Sequence, residues 1–200
     1  MTSNLATMHL KREARVWLGN APTHLAGHFV EEGQCALIGD EYLLRIADVG
    51  SFFYKRGSGV TLQKAPGVAH SPVQAYLDGS VYGAIAWING YVPLHASAVS
   101  HAGNVYAFVG DSGAGKSTLS AALANSGTPL FADDVMVLDG IRSGKLACLP
   151  GHKSLKLCAD AFDMVKAARL DRVLPGLDKY FAAVESERDG LARPLAILFF

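Results

Sequence analysis

Between about Gly33 and Gln63 the apolar residues fall in short runs separated by turn residues, a pattern that predicts strands. Cys35–Ala36–Leu37–Ile38, a Gly39–Asp40 turn and Tyr42–Leu43–Leu44–Arg45–Ile46 read as a hairpin. Ser51–Phe52–Phe53–Tyr54 and Val60–Thr61–Leu62 flank a second turn, Arg56–Gly57–Ser58–Gly59. Residues 1–20 are weakly patterned and are read as a flexible lead or an edge strand. Asp40, Glu41 and Asp48 read as a solvated face. The result is a small, β-rich N-terminal lobe over residues 1–65.

Ala65 to Pro72 holds two prolines and a glycine and is the expected lobe boundary. Ser71 before Pro72 fits a helix cap with proline at the first position. A helix to about Ile88 follows, with Val73, Tyr76, Leu77, Val81, Ile85 and Ala86 apolar, and Asn89–Gly90 ends it. Val92 to Val99 reads as a strand, Ser100 to Gly103 as a turn, and Asn104 to Val109 as a second strand. Beyond a glycine-rich loop, Leu119, Ala122 and Leu123 mark a helix that stops at Asn125–Ser126–Gly127. Pro129–Leu130–Phe131–Ala132 is an apolar strand ending in Asp133–Asp134. A hairpin follows, Val135–Asp139 and Lys145–Leu149 joined through Gly140–Gly144. Ala159 to Leu170 reads as an amphipathic helix with Phe162, Val165 and Leu170 apolar. Pro194 to Phe200 reads as a buried strand, so the natural domain is expected to continue. Strands alternating with helices make residues 66–200 an α/β domain.

The loop between the second strand and its helix, Gly110–Asp111–Ser112–Gly113–Ala114–Gly115–Lys116–Ser117, fits the phosphate-binding pattern G-x-x-x-x-G-K-[ST] in the strand–loop–helix context that pattern needs. Glycine lets the backbone take positive φ and approach phosphates closely. Successive N–H groups at a helix N-terminus then form an anion nest. A helix end alone contributes only about 0.3–1 kcal/mol toward one charge, so a polyphosphate needs the whole nest and Lys116 as well. The Ser117 hydroxyl is the expected Mg²⁺ ligand.

Carboxylates at the C-terminal end of a parallel strand beside such a loop sit where α/β sheets bind ligands. Asp133 and Asp134 are adjacent, and on a strand they would point to opposite faces, one for metal and one for a nucleophile. A turn with solvated acids is the other reading. His95 lies on the strand expected to pair beside the loop; on the residues alone it reads first as a structural histidine. His152, Lys153 and Lys156 read first as a solvated surface and second as contacts for phosphate or substrate.

Composition narrows the setting. Half of the 200 residues are hydrophobic, 18% are charged, and the net charge is zero. This describes a globular chain without the basic field that holds nucleic acid or a membrane surface. The three cysteines, Cys35, Cys148 and Cys158, lack C-x-x-C spacing and read as reduced, mostly buried thiols of a cytoplasmic protein. No targeting segment is visible.

The array of His95, Gly110–Ser117 and Phe131–Ala132–Asp133–Asp134 resembles the C-terminal domain of HPr kinase/phosphorylase. Leu94–His95–Ala96–Ser97–Ala98–Val99 is most similar to the shorter HPr-kinase-like proteins. The resemblance is specific over about residues 90–140 and loose beyond. It implies a P-loop kinase core with the mixed sheet of the HPr-kinase and PEP-carboxykinase-like folds. It also implies ATP and Mg²⁺ as cofactors, and a small protein or peptide as phospho-acceptor, HPr-like or a ribosomal-peptide precursor. On this resemblance Asp134 is the general base toward a serine hydroxyl, Lys116 and His95 stabilise the transferring phosphate, Gly110–Thr118 hold ATP, and Ser117 and Asp133 hold metal. The chain departs from the family after the hairpin, where Leu149–Pro150–Gly151–His152–Lys153 replaces an Arg-Gly-x-Gly motif and its glutamate. That departure weighs against the reverse, phosphorylase reaction and against HPr itself. A homo-oligomer is compatible with all of this. The alternative function is a non-catalytic ATP-binding interaction or regulatory module.

Overall fold

The computed structural model describes residues 2–142 and 145–200, so Ser143 and Gly144 of the expected hairpin turn lie outside the described residues. The chain divides into two units, Met8–Tyr91 and Val92–Phe200, the second including Met1–Thr7. The break expected at residue 65 falls inside the first of these.

The first stretch is a helix, α1 (Thr2–Glu13), and not a flexible lead. Ala6, Thr7, Leu10 and Glu13 are its buried positions, the 3–4 spacing of one helical face. A strand follows, β1 (Val16–Leu18), then the small β2 (His24–Leu25) and β3 (His28–Phe29) pair. The two expected hairpins are present as β4 (Cys35–Ile38) with β5 (Glu41–Ile46), and β6 (Gly50–Lys55) with β7 (Gly59–Lys64). They build one sheet in the order β1-β7-β6-β5-β4, with β1 parallel to β7. Leu43, Phe52, Tyr54, Val60 and Leu62 fill its core. Gly50 has φ +144°, and a Cβ there would stand 2.3 Å from the Gln63 carbonyl oxygen, so only glycine fits where β6 begins.

The expected helix to Ile88 is broken in two by a π-turn at Leu77–Val81, between α2 (His70–Tyr76) and α3 (Tyr82–Ile88). Its N-cap is Ala69, without a side-chain cap, so Ser71 and Pro72 lie inside the first turn. Asn89 is the C-cap and Gly90 follows in the left-handed region at φ +82°, as the sequence indicates.

The second unit opens with β8 (Val92–His101) and β9 (Asn104–Val109), antiparallel neighbours. After the glycine-rich loop come α4 (Lys116–Asn125), β10 (Leu130–Ala132), β11 (Val135–Arg142) and β12 (Lys145–Leu149). Then follow β13 (Lys156–Cys158), α5 (Ala161–Val165), β14 (Ala168–Arg172), β15 (Lys179–Ala183) and β16 (Arg193–Phe199). The expected helix to Leu170 therefore ends at Val165, because Lys166 turns left-handed (φ +51°) and the chain runs on into β14.

The long strand β8 organises this unit. Its first half pairs with β11 and its second with β9, while β10 pairs with Val99 and Ala98. β9 continues to β16 in parallel, β16 to β12, and β12 back to β11. Pairing thus closes a ring of five strands, with no open edge in the circuit. Small side chains, Ala96, Ala98 and Ala107, pack inside with Phe131, Met136 and Cys148. A second cluster, including Ala121, Leu155, Leu157 and Phe162, joins α4 and α5 to a three-stranded sheet ordered β13-β15-β14. The molecule is mixed α/β, with strands predominating among the described residues. β16 is less buried than its sequence suggests: Ile197 and Phe199 are exposed, and Phe199 stacks on Phe108. No helix among the described residues is long and apolar enough to cross a membrane.

Candidate functional site

The loop is built as its residue types require. β9 ends at Val109, Gly110 turns with φ +151°, and Gly113 and Gly115 take φ +89° and +84°. Gly115 is the N-cap of α4 and offers no side chain, so the first-turn N–H groups are left to an outside acceptor. The Ala114 N–H bonds the Asp111 carbonyl at 3.2 Å and closes the loop on itself. Lys116 folds back over it, its Nζ donating to the Gly110 and Asp111 carbonyl oxygens at 2.8 Å each.

The two aspartates follow β10 at a bend, so strand alternation does not separate them. Asp134 is in the left-handed region at φ +69°, uncommon for a residue with a side chain. β10 also differs in its neighbour: it pairs antiparallel with β8, which lies between it and β9.

Asp133 is buried, with one carboxylate oxygen accepting from the Ser117 hydroxyl at 2.9 Å and the other from the Lys156 N–H at 3.2 Å. Burial pushes its carboxyl up, and the nearby Asp134 charge adds to this; bonds from Ser97, Ser117 and Lys156 oppose the rise. Behind it Ser97 and Ser120, both fully buried, share a hydrogen bond of 2.7 Å.

Asp134 has a basic side chain at each carboxylate oxygen, one close and one more distant. Lys156 Nζ donates to its Oδ2 at 2.6 Å, and His95 Nε2 stands 3.7 Å from its Oδ1. His95 is placed by register, opposite Val135 in the β8–β11 ladder, and its side chain is 58% exposed. The structural-histidine reading does not hold for a side chain this open.

Lys156 is not a solvated surface residue; it is 8% exposed. Leu155 and Leu157 on either side are buried in the apolar cluster, which turns Lys156 to the aspartates. Its sequence signal was a lone charge inside an apolar strand run. Lys153 is likewise drawn in: it lies over the Phe131 ring at 4.9 Å and donates to the Phe131 carbonyl oxygen. Burial pushes its ammonium down to about 8, against the pull of Glu187 and Asp189. The His152 carbonyl accepts from the Asp133 N–H at 3.2 Å.

The loop, His95, the two aspartates and Lys156 border a cavity of about 90 Å³. Of the residues expected from sequence, His95, Ser112, Gly113, Gly115, Lys116, Ser117, Thr118, Asp133 and Asp134 line it. Gly110, Asp111 and Ala114 shape the loop behind. Ala96, Lys156, Leu157, Cys158 and Lys179 complete the wall; of these the sequence pointed to Lys156 alone as a contact for phosphate or substrate, and only as its second reading. Among the described residues no three His, Cys, Asp or Glu side chains converge as a metal cage.

No family model, curated protein or solved structure matches the chain.

Proposed function

We propose that the chain is an ATP- and Mg²⁺-dependent serine kinase that transfers the γ-phosphate to a serine hydroxyl of a protein or peptide, in the cytoplasm. On this reading the closed ring, the loop and α4 form a P-loop kinase core. The observation that supports it is the shared cavity: the glycine-rich loop and Asp134 face the same space. The loop N–H groups suit a polyphosphate. Lys116 leaves two neutral carbonyls for charge-assisted bonds to phosphate.

The donor set fits Mg²⁺ that arrives with the nucleotide. Mg²⁺ takes few protein ligands and completes its shell with water and phosphate oxygens. Ser117 would be the direct ligand, with buried Asp133 holding its hydroxyl from behind. When bound, the ion would neutralise charge on the phosphates.

Lys156 occupies Oδ2 of Asp134, so Oδ1, 3.7 Å from His95 Nε2, is the oxygen assigned to the acceptor. Oδ1 accepts the proton of the serine hydroxyl as the serine oxygen bonds to phosphorus. The bond from phosphorus to the ADP oxygen breaks and its electron pair leaves on ADP. His95 and Lys116 offset the charge of the transferring group. General-base catalysis of this kind contributes roughly 10²–10⁴-fold.

The test is γ-labelled ATP and Mg²⁺ with extract of the source cell, wild type against Asp134→Asn. A protein or peptide labelled by wild type, and by the variant at a rate lower by about 10²–10⁴-fold, supports the kinase. Equal labelling removes Asp134 from the mechanism. ATP binding without transfer turns the reading to a non-catalytic nucleotide-binding module.

A further inference from the structure

The three-stranded sheet beside the cavity ends on β13, which pairs only with β15 within it. Register decides which backbone groups lie on its open edge. The Ala182 N–H donates to the Leu155 carbonyl at 2.9 Å and the Ala159 N–H to the Asp178 carbonyl at 3.3 Å. Between them the pairs are Lys156 with Phe181, Leu157 with Tyr180 and Cys158 with Lys179. Hydrogen-bonded and non-hydrogen-bonded pairs alternate along an antiparallel ladder. Leu155, Leu157 and Ala159 therefore turn their peptide groups toward β15, while Lys156 and Cys158 turn theirs away. The Lys156 N–H bears this out, since it reaches Asp133 Oδ2 on the far side. The Lys156 carbonyl and both peptide groups of Cys158 remain on the edge.

The cavity lies against this strand and its neighbour, with Lys179 of β15 also in its wall. All three β13 residues line it, although the Leu157 side chain is buried in the apolar cluster of the opposite face. At one end of the strand, the Lys156 side chain holds Asp134 at 2.6 Å. Peptide groups waiting for a strand thus adjoin the carboxylate assigned to the acceptor hydroxyl.

We infer that the phospho-acceptor is an extended peptide segment that adds as a strand to the open edge of β13, pairing with Cys158 and presenting its serine to Asp134. The inference rests on the kinase reading above. Main-chain bonds give such a complex its register, and every second side chain of the added strand faces the same way. The substrate class is therefore a disordered tail or loop able to extend. A serine within a helix does not fit, because its peptide groups are already paired.

The test uses short capped peptides with one central serine, γ-labelled ATP and Mg²⁺. Backbone N-methylation is walked along a peptide that accepts phosphate. Strand addition requires a period-two pattern, with losses of about tenfold or more in kcat/KM at alternate residues only. On the protein side, Cys158→Pro removes the outward N–H without breaking the β15 ladder, where an edge proline is tolerated. Its peptide KM should exceed that of Cys158→Ala, which keeps the N–H, by about tenfold at equal Mg·ATP affinity. Methylation tolerated at every position, or Cys158→Pro matching Cys158→Ala, overturns the inference. If the proline variant does not fold, the methylation series decides alone. Wild-type transfer to a serine within a helix of a protein of the extract, but to no peptide, overturns strand docking and leaves the kinase. No transfer to any acceptor removes the kinase reading, and this inference with it.

Discussion

The Ser117 hydroxyl donates to Asp133 Oδ1 at 2.9 Å, tying the first turn of the loop helix to a carboxylate that is 3% exposed. A hydroxyl has one proton and two lone pairs. With its proton committed to Asp133, the Ser117 oxygen keeps its lone pairs for a cation. Ser117→Ala removes that oxygen and leaves the buried Asp133 short of a donor. Mg·ATP affinity is expected to fall about 10–100-fold, the size seen when a metal-supporting contact is lost. Affinity measured in excess chelator should change much less, and calorimetry with and without Mg²⁺ separates the two. An equal loss in both conditions would assign Ser117 to phosphate instead of metal.

Gly151 is the support beneath the aspartate bend. A Cβ built there lies 2.7 Å from Ala132 Cβ and 3.0 Å from the Val135 carbonyl oxygen. Both atoms flank Asp133–Asp134, so relief of the clash must move the bend. Gly151→Ala is expected to cost about 1–3 kcal/mol, as overpacking does, and to lower activity along with stability. Unfolding monitored by circular dichroism checks the first, and ATP turnover the second. A variant as stable as wild type would show that the neighbouring backbone gives way freely.

How much of this was legible in the sequence follows from the range of each interaction. The hairpins β4–β5 and β6–β7, the loop and its flanking strand and helix are local, set by turn glycines and short apolar runs. α1 was not legible, because two of its buried positions are the polar Thr7 and Glu13. Glu13 is buried only because Tyr54 and Gly57, more than 40 positions on, complete its bonds. The site divides in the same way. The motif gave Gly110–Ser117, but the partner of Asp134 is Lys156, 22 positions away. Its burial comes from Leu155 and Leu157 packing on α4 and α5, and only the folded chain brings that about.

Thiol chemistry gives an inexpensive check on the cavity. Cys35 and Cys158 are exposed; Cys148 is fully buried, and burial pushes its thiol up to about 12. The thiolate is the reactive form. Two of the three cysteines should react quickly with a disulfide reagent in the native protein, and Cys148 only on unfolding. Cys158 lines the cavity on the strand assigned to the acceptor, so a peptide that accepts phosphate should slow its reaction and leave Cys35 unaffected. Mass spectrometry of the labelled peptides resolves the three. Fast labelling of Cys148 would contradict the ring core described above.

Glu13 provides the pH test of the first unit. Its Oε2 accepts the Tyr54 hydroxyl and the Gly57 N–H, each at 2.7 Å, and Asn89 Nδ2 donates to the same Tyr54 oxygen at 2.7 Å. Burial raises the Glu13 carboxyl, but the bonds from Gly57 and Tyr54 and the charges of His9 and Arg12 outweigh it, so the group sits below its ordinary 4.5. A depressed folded value means that the unfolded chain takes up the proton first as pH falls. The stabilisation is therefore whole above 4.5 and drains away as pH drops through the folded value. Glu13→Ala leaves the buried Tyr54 hydroxyl and the more open Gly57 N–H without their acceptor and should cost about 1–3 kcal/mol. Glu13→Gln keeps a carbonyl oxygen for both donors and loses only the charge. It should cost less near neutrality and show a flatter decline in acid than wild type. Both tryptophans, Trp17 and Trp87, belong to Met8–Tyr91, so their fluorescence follows this unit through urea unfolding. Titrations at about pH 7 and about pH 4 give the comparison. If Glu13→Gln declines in acid as steeply as wild type, the acid sensitivity of the unit arises at another carboxylate.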